Sequence, residues 1–498
     1  MEQQQPTPNT QQPQANAQPS TLNDNPSTLN PQPSSLNAKR STFNDNRSTF
    51  TPLPLKDSQL PPIIREVVTN APDNRKLPSF IACLAPLCAL ATRIRLNYYY
   101  DGTRQSQLLL QVIIEAPQSS GKQFAADIER LIMDNTLKAH DQQQRRLEQE
   151  YREKKKRRKA NEKLEEEPKT TIRIIPPTIS KTVLVKRADF YERILGDVLT
   201  FWMFAEELAQ VTDAGRQGYS NLRTIMRTAY DFGSLFGMDF ASDNSYSAIV
   251  DINICSMFCT TPSALDDYMD RKAIEGGNIT RTLLCQLDDQ IGADGALFKP
   301  YTAKQMERIN STLAKVMADV YAHDGSLQST KLLDTKWIDK DVRQWCTSKG
   351  AEALKSGSSA MDVFRKRASV SAFRTMALCY YLYLLDEVPI SQAQARCRKI
   401  YCWMADYILE MLLRRWGKRF EELQAKREDT FDTDTKRPRI LDLLPQQFTR
   451  EQLCSLLHEH QKVTPYRILL FQWKARKWIE QLDNHVYRKT ATEENVNR

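Results

Sequence analysis

The chain runs to 498 residues, more than one ordinary hydrophobic core accommodates, so two or three folded units plus tails are expected. Its 70 Lys and Arg against 61 Asp and Glu leave a net charge of +9, which favours a polyanionic partner such as DNA. The ten cysteines lie mostly in apolar stretches with no second Cys or His pair at zinc spacing, and the polar N-terminus has no apolar signal core. These features argue against a disulfide scaffold, a metal–thiolate centre and secretion, and point to the cytoplasm.

Residues 1–60 form a Gln-, Asn-, Pro- and Ser-rich tail with too little to bury to offset chain entropy, so disorder is expected there. A seven-residue unit recurs within it, beginning Pro19-Ser20-Thr21-Leu22-Asn23 and ending Arg47-Ser48-Thr49-Phe50. One apolar residue per repeat makes neither a coiled-coil seam nor a solenoid core. Folded sequence starts near Ile63, where Ile63, Ile64, Val67 and Val68 suit a short helix and residues 77–96 a more buried one. The most apolar part, residues 80–91, is too short for a membrane span and is followed by Arg93 and Arg95, so no membrane association is expected.

Residues 107–115 are an apolar run long enough for a buried strand, and residues 124–137 read as a helix. Between them lie Ala116, Pro117, Gln118, Ser119, Ser120, Gly121, Lys122 and Gln123. This is the layout of a phosphate-binding loop, in which backbone N–H groups at a helix N-terminus surround phosphates and the lysine reaches the β/γ oxygens of ATP. Ala116 stands where that pattern has its first glycine, and Gln123 where it has a hydroxyl for Mg²⁺.

A charged insertion follows at residues 138–170, predicted as a solvated helical hairpin arm. Its 154–159 cluster is the densest positive spot in the chain and also suits nonspecific phosphate contact. Residues 172–175 read as a strand, Ser180 as a helix cap, and residues 198–205 as a strand covered on both faces. That strand ends in Glu206 and Glu207, placed as a magnesium contact and a base orienting the attacking water would be. Residues 221–230 suit a helix bearing Arg223 and Arg227, and residues 248–259 one long strand or two short ones before Thr260-Thr261-Pro262. Arg281, after Gly276-Gly277, is either a solvent-exposed turn arginine or one placed near phosphates, in cis or across a subunit boundary.

From Pro300 the strand signal disappears and helical periodicity takes over, giving a helical unit at 336–425 whose aromatic residues Tyr380, Tyr381, Tyr383, Trp403 and Tyr407 read as core. A polar linker at 428–436 precedes a module at 438–492. There Thr449 and Gln452 form a capping-box pattern, and a second helix presents Arg467, Lys474, Arg476 and Lys477 before a small strand with Arg488 and Lys489. Helix, turn, basic helix and basic ribbon describe a winged-helix-like DNA-binding module, although a plain helical hairpin fits the same pattern.

The order of these motifs resembles that of a bacterial domain-of-unknown-function family of P-loop, helicase-like ATPases found near or fused to primases in mobile genetic elements. The resemblance covers residues 77–420 and rests on residues 84–96, the 116–122 loop, Phe204-Ala205-Glu206-Glu207, Gly218-Tyr219-Ser220, Thr260-Thr261-Pro262, the 276–281 turn and the arginine-bearing helix at 365–383. It implies an α/β fold with a P-loop NTPase core of RecA/AAA type at 61–335, ATP and Mg²⁺ as cofactors, homo-oligomerisation, and a primase or other replication protein as partner. By the same analogy Lys122 binds phosphate, Glu206 helps hold magnesium, Glu207 is the base, Thr261 senses the γ-phosphate and Arg281 is the arginine finger. Two functions are thus expected in competition: an ATP-dependent DNA-processing motor, and a noncatalytic DNA-binding accessory with a degenerate nucleotide site. No primase signature is present in the chain.

Overall fold

A strand without polar alternation needs cover on both faces, and Val112, Ile113 and Ile114 place such a strand deep in the core. The structure, a computed structural model, describes residues 52–157, 166–216, 222–238, 246–287, 297–429, 440–460, 466–475 and 478–490, all within one unit, Phe50–Arg498. The N-terminal repeats, Gly218-Tyr219-Ser220, Arg476 and Lys477 lie outside the described residues.

In chain order the strands are β1 (Ile94–Tyr98), β2 (Asp101–Gln107), β3 (Gln111–Glu115), β4 (Thr200–Ala205), β5 (Leu235–Met238), β6 (Ala248–Asp251), β7 (Asn253–Thr260), β8 (Thr282–Gln286), β9 (Lys331–Leu333), β10 (Gln447–Thr449), β11 (Ile479–Asp483) and β12 (Val486–Lys489). β3 runs parallel to β7 on one side and to β8 on the other, and β4 runs parallel to β7. The fold is therefore mixed α/β around a parallel sheet of order β4-β7-β3-β8. Helix Asp73–Leu90 packs across all four strands, and its Ala82, Cys83, Ala85 and Ala89 are small enough to let the backbones approach. Helix Ile390–Leu412 packs on β8 and along the 27-residue helix Ser359–Leu385. One set of buried side chains runs from Leu55 to Leu423, and a second, from Ile440 to Tyr487, belongs to the C-terminal segment.

The long helix is fastened to the sheet by a buried arginine. Arg374 donates to the carbonyls of Leu109 (3.0 Å) and Tyr230 (2.9 Å) and to the Tyr98 hydroxyl (2.6 Å), and lies 4.4 Å from the centre of the Tyr230 ring. Burying a guanidinium is costly unless its donors are used, so this residue fixes where the helix meets the start of β3.

Several expected elements take a different form. The helix after the loop is Gln123–Met133, and a π-helical turn, Asp134–Lys138, carries it on into Ala139–Arg157. Residues 166–170 form no helix, so the described part of the expected hairpin arm holds one helix, and 158–165 lie outside the described residues. The strand expected at 172–175 is a lone bridge between Ile174 and Trp202, because the backbone N–H groups of Arg173 and Ile174 donate to the Asp141 carboxylate at 2.8 and 2.6 Å. The helix expected over 77–96 stops at Leu90, and its last residues form β1, where Arg95 pairs with Asp197 at 2.8 Å. The strand signal does not end at Pro300: β9 pairs with β1 over three residues, too short to stand out in sequence. Residues 248–260 are two strands, β6 antiparallel to β5 and β7 in the central sheet.

Candidate functional site

In an open parallel sheet the carboxyl ends of the strands face one edge, where ligands bind. The 116–122 loop leaves β3 at that edge. It is anchored on both sides, by Ala116 N–H donating to Thr260 O (3.0 Å) and Leu287 N–H donating to Glu115 O (2.9 Å). Within it Ser119 and Gly121 have φ of 61° and 74°, the left-handed region that glycine reaches at no steric cost and that serine adopts under constraint. The Ser120 hydroxyl bonds Pro117 O at 2.8 Å, and Arg75, from the helix across the sheet, donates to Ser120 O at 3.0 Å. Gln118 and Ser119 are exposed, and so is Gln123, the first residue of the following helix.

Lys122 is half-buried, with its Nζ 3.2 Å from Thr260 O and 3.5 Å from Ala116 O. Both acceptors are neutral, so among the described residues no carboxylate compensates its charge at the end of β3 and β7. Glu206 and Glu207 follow β4 at the same edge, where Leu208 N–H donates to Cys259 O at 2.8 Å. Both side chains are exposed, and Glu206 comes within 3.9 Å of Arg130 on the loop helix. Cys259 registers the proximity of Lys122 and Glu206: burial pushes its thiol up to about 12, with Lys122 acting against the shift and Glu206 adding to it. Thr261 lies at the same edge, but its hydroxyl caps the helix Pro262–Tyr268, accepting from Ala264 N–H at 3.4 Å. Lys122, Glu206, Glu207 and Thr261 are thus gathered at one edge of the sheet.

Arg281 is not among them. It precedes β8, so it lies at the amino edge of the sheet, about 16 Å along the strand from Gln286 at a rise of ~3.3 Å per residue. Its guanidinium pairs with Asp231 at 3.0 Å and donates to Gly277 O, and Asp231 also takes Arg367 at 2.8 Å. Burial favours a neutral Asp231, but Arg367 and Arg281 outweigh it and hold the carboxyl below its usual range. The arginine that does reach the carboxyl edge comes from the helical unit. Arg415 pairs with buried Glu115, the last residue of β3, at 3.0 Å, with Asp266 at 2.9 Å, and donates to Pro262 O. The second Glu115 oxygen accepts from Gln286 at 2.6 Å. The one sequence signal for Arg415 was a charge on the otherwise apolar face of Met404, Ile408 and Met411; Arg75 gave none.

The C-terminal segment carries a three-stranded antiparallel sheet of order β10-β12-β11, with helices Arg450–Glu459 and Tyr466–Ala475 between β10 and β11. Thr449 and Gln452 form the expected capping box. Arg467, Lys474 and Arg488 are exposed; the Lys474 ammonium lies 5.1 Å from the centre of the Tyr487 ring and bonds Gln481. Lys489 is half-buried, donates to Asp442 O at 3.4 Å, and burial lowers its pKa. Phe471, on the same helix as Arg467 and Lys474, is 73% exposed.

Neither known family profiles nor curated proteins match this chain. Among solved structures it is similar to one described as "SCCmec type IV Cch - active helicase", at 10% identity and a TM-score of 0.29, covering 84% of this chain and 68% of that one. Among the described residues no helix is long and apolar enough to cross a membrane, and no group of three His, Cys, Asp or Glu could hold a metal.

Proposed function

We propose that the chain binds ATP with Mg²⁺ at the carboxyl edge of its parallel sheet, as a P-loop NTPase core of RecA/AAA type, and couples that site to DNA held by a winged-helix-like C-terminal module. The observation that carries the reading is the loop itself: two left-handed residues, Ser119 and Gly121, turn β3 into a helix and leave the Lys122 ammonium over the strand ends with no carboxylate partner among the described residues.

The donor set fits the ligand. Mg²⁺ in such sites is held by one or two carboxylates together with phosphate oxygens and water, so the absence of a three-ligand protein cage among the described residues is consistent with it. ATP supplies the phosphoanhydride whose terminal phosphoryl group is transferred to water. Lys122 would neutralise charge on the phosphates, Glu206 would help hold Mg²⁺, and Glu207 would orient the attacking water. Thr261 accepts the Ala264 N–H through its hydroxyl oxygen, which leaves its O–H to donate to a γ-phosphate. Arg415 also reaches this edge from the helical unit, but Glu115 and Asp266 take its charge, and Arg281 is at the wrong end of β8.

Gln123 favours a second reading, a noncatalytic DNA-binding replication accessory, because an amide replaces the hydroxyl that ligates magnesium. Turnover with and without single-stranded DNA separates the two. The motor hydrolyses ATP faster with DNA present and loses that rate in Glu207→Gln; a parent chain with no turnover under either condition leaves only the accessory.

A further inference from the structure

A pocket of about 220 Å³ opens between the charged helix Ala139–Arg157 and the helix Lys181–Phe190, using none of the loop residues. It is smaller than the ~300–1,000 Å³ of a drug-sized cleft and suits one ring system. Tyr151 and Phe190 line it, together with Val183, which is left 45% exposed. Of its two lining carboxylates, Glu148 is satisfied, accepting from Thr170 Oγ1 at 2.8 Å and Arg187 Nη1 at 3.1 Å, while Glu167 is exposed. Burial raises the Glu148 pKa, but Arg187 and Thr170 overcome that and hold it below the usual range. Glu148 is therefore neutralised by its neighbours, and Glu167 at the solvent-facing side is outnumbered by Arg152, Lys186 and Arg187 on the same lining.

The rim is cationic. Arg152 is 71% exposed, and Lys186 is exposed with no ion-pair partner among the described residues. The helix then ends in exposed Lys154, Lys155, Lys156 and Arg157. An aromatic-walled slot rimmed by cations selects a flat ring carrying negative charge, which is the chemistry of a nucleobase and its phosphates. A free nucleotide and a strand share that chemistry, but the basic last turn extends the positive surface past what one nucleotide covers.

We propose that this pocket receives one unpaired base of a single-stranded nucleic acid, with the neighbouring phosphates lying along Arg152, Lys186 and the basic turn. The proposal rests on the nucleic-acid half of the proposed function and is independent of the ATP loop. It is tested on the full chain by fluorescence anisotropy with a labelled oligothymidine and a labelled duplex. Tyr151→Ala is expected to weaken single-strand binding about tenfold, with Tyr151→Trp restoring it and duplex affinity the same in all three. Lys186→Ala is expected to lower the slope of log affinity against log salt by about one. The proposal is overturned if Tyr151→Ala binds the oligonucleotide like the parent, if it weakens duplex binding equally, or if thymidine monophosphate displaces the strand at matched nucleotide concentration. Loss of binding in Arg467→Ala/Lys474→Ala with Tyr151→Ala silent would remove this site while leaving the C-terminal module's role intact.

Discussion

At the amino edge of the central sheet, Asp231 is shared by Arg281 and Arg367, and Arg374 gives its two terminal nitrogens to two carbonyls and a tyrosine. At the carboxyl edge, among the described residues, Lys122 meets backbone carbonyls, Glu206 and Glu207 face solvent, and the tight ion pairs are those of Arg415 with Glu115 and Asp266. The same residue types thus serve structure at one edge and stay available for a ligand at the other. Charges already saturated by the fold have nothing left to offer a phosphate, whereas charges held only by carbonyls or water do.

The largest effect expected from this contrast is at the amino edge. Asp231→Ala strands two partly buried guanidinium groups and lowers stability by about 3 kcal/mol in denaturant unfolding. A change below ~0.5 kcal/mol would put this edge in the same class as the other. Next comes Arg415→Ala, which leaves the Glu115 carboxylate with Gln286 as its remaining partner and costs about 2 kcal/mol. Adding Glu115→Gln recovers that stability while ATP affinity stays at the parent's, as expected of an arginine already spent on Glu115 and Asp266.

A further contrast is set by pH. Burial pushes Asp251 up to about 6 from 3.8, with Glu192 adding to the shift and the Gly233 N–H opposing it. A carboxyl whose folded pKa is raised favours the fold while protonated, and that contribution is lost as pH rises through about 6. Asp251→Asn, an isostere of the protonated acid, is therefore expected to be more stable than the parent by about 2 kcal/mol at pH 7, with the difference fading below pH 4. Equal stabilities at both pH values would show that Asp251 is not strained by its burial. The smallest effect is at the C-terminal module: Arg467→Ala lowers the salt slope of DNA binding by about one, and an unchanged slope would remove this residue from the phosphate contacts.

The carboxyl edge was the more legible of the two in sequence. The strand into the loop, the strand ending in Glu206 and Glu207, and the strand before Thr261 are continuous apolar runs, which parallel strands buried on both faces require. Their shared edge follows because each candidate residue comes after its strand. Arg281 comes before its strand, and in a parallel sheet that alone sends it to the other edge; the Gly276-Gly277 turn drew notice as a motif, without its direction. Arg75 and Arg415 were not legible because they reach the site from helices far away in the chain, and periodicity reports a helix face without naming what it covers. The arm's first helix was legible from charge density, whereas the segment after it was not: the N–H groups of Arg173 and Ile174 are held by Asp141, a partner more than 30 residues away in the chain.

The central claim is that Lys122 is held ready for phosphate rather than for the fold. Calorimetric titration of ATP with Mg²⁺ into the parent chain and into Lys122→Ala, with thermal unfolding of both, tests it most directly. The account predicts at least a tenfold, ~1.4 kcal/mol, loss of ATP affinity with the unfolding temperature unchanged. A Lys122→Ala chain that binds ATP as tightly as the parent, or one that loses binding only because it unfolds, would contradict it.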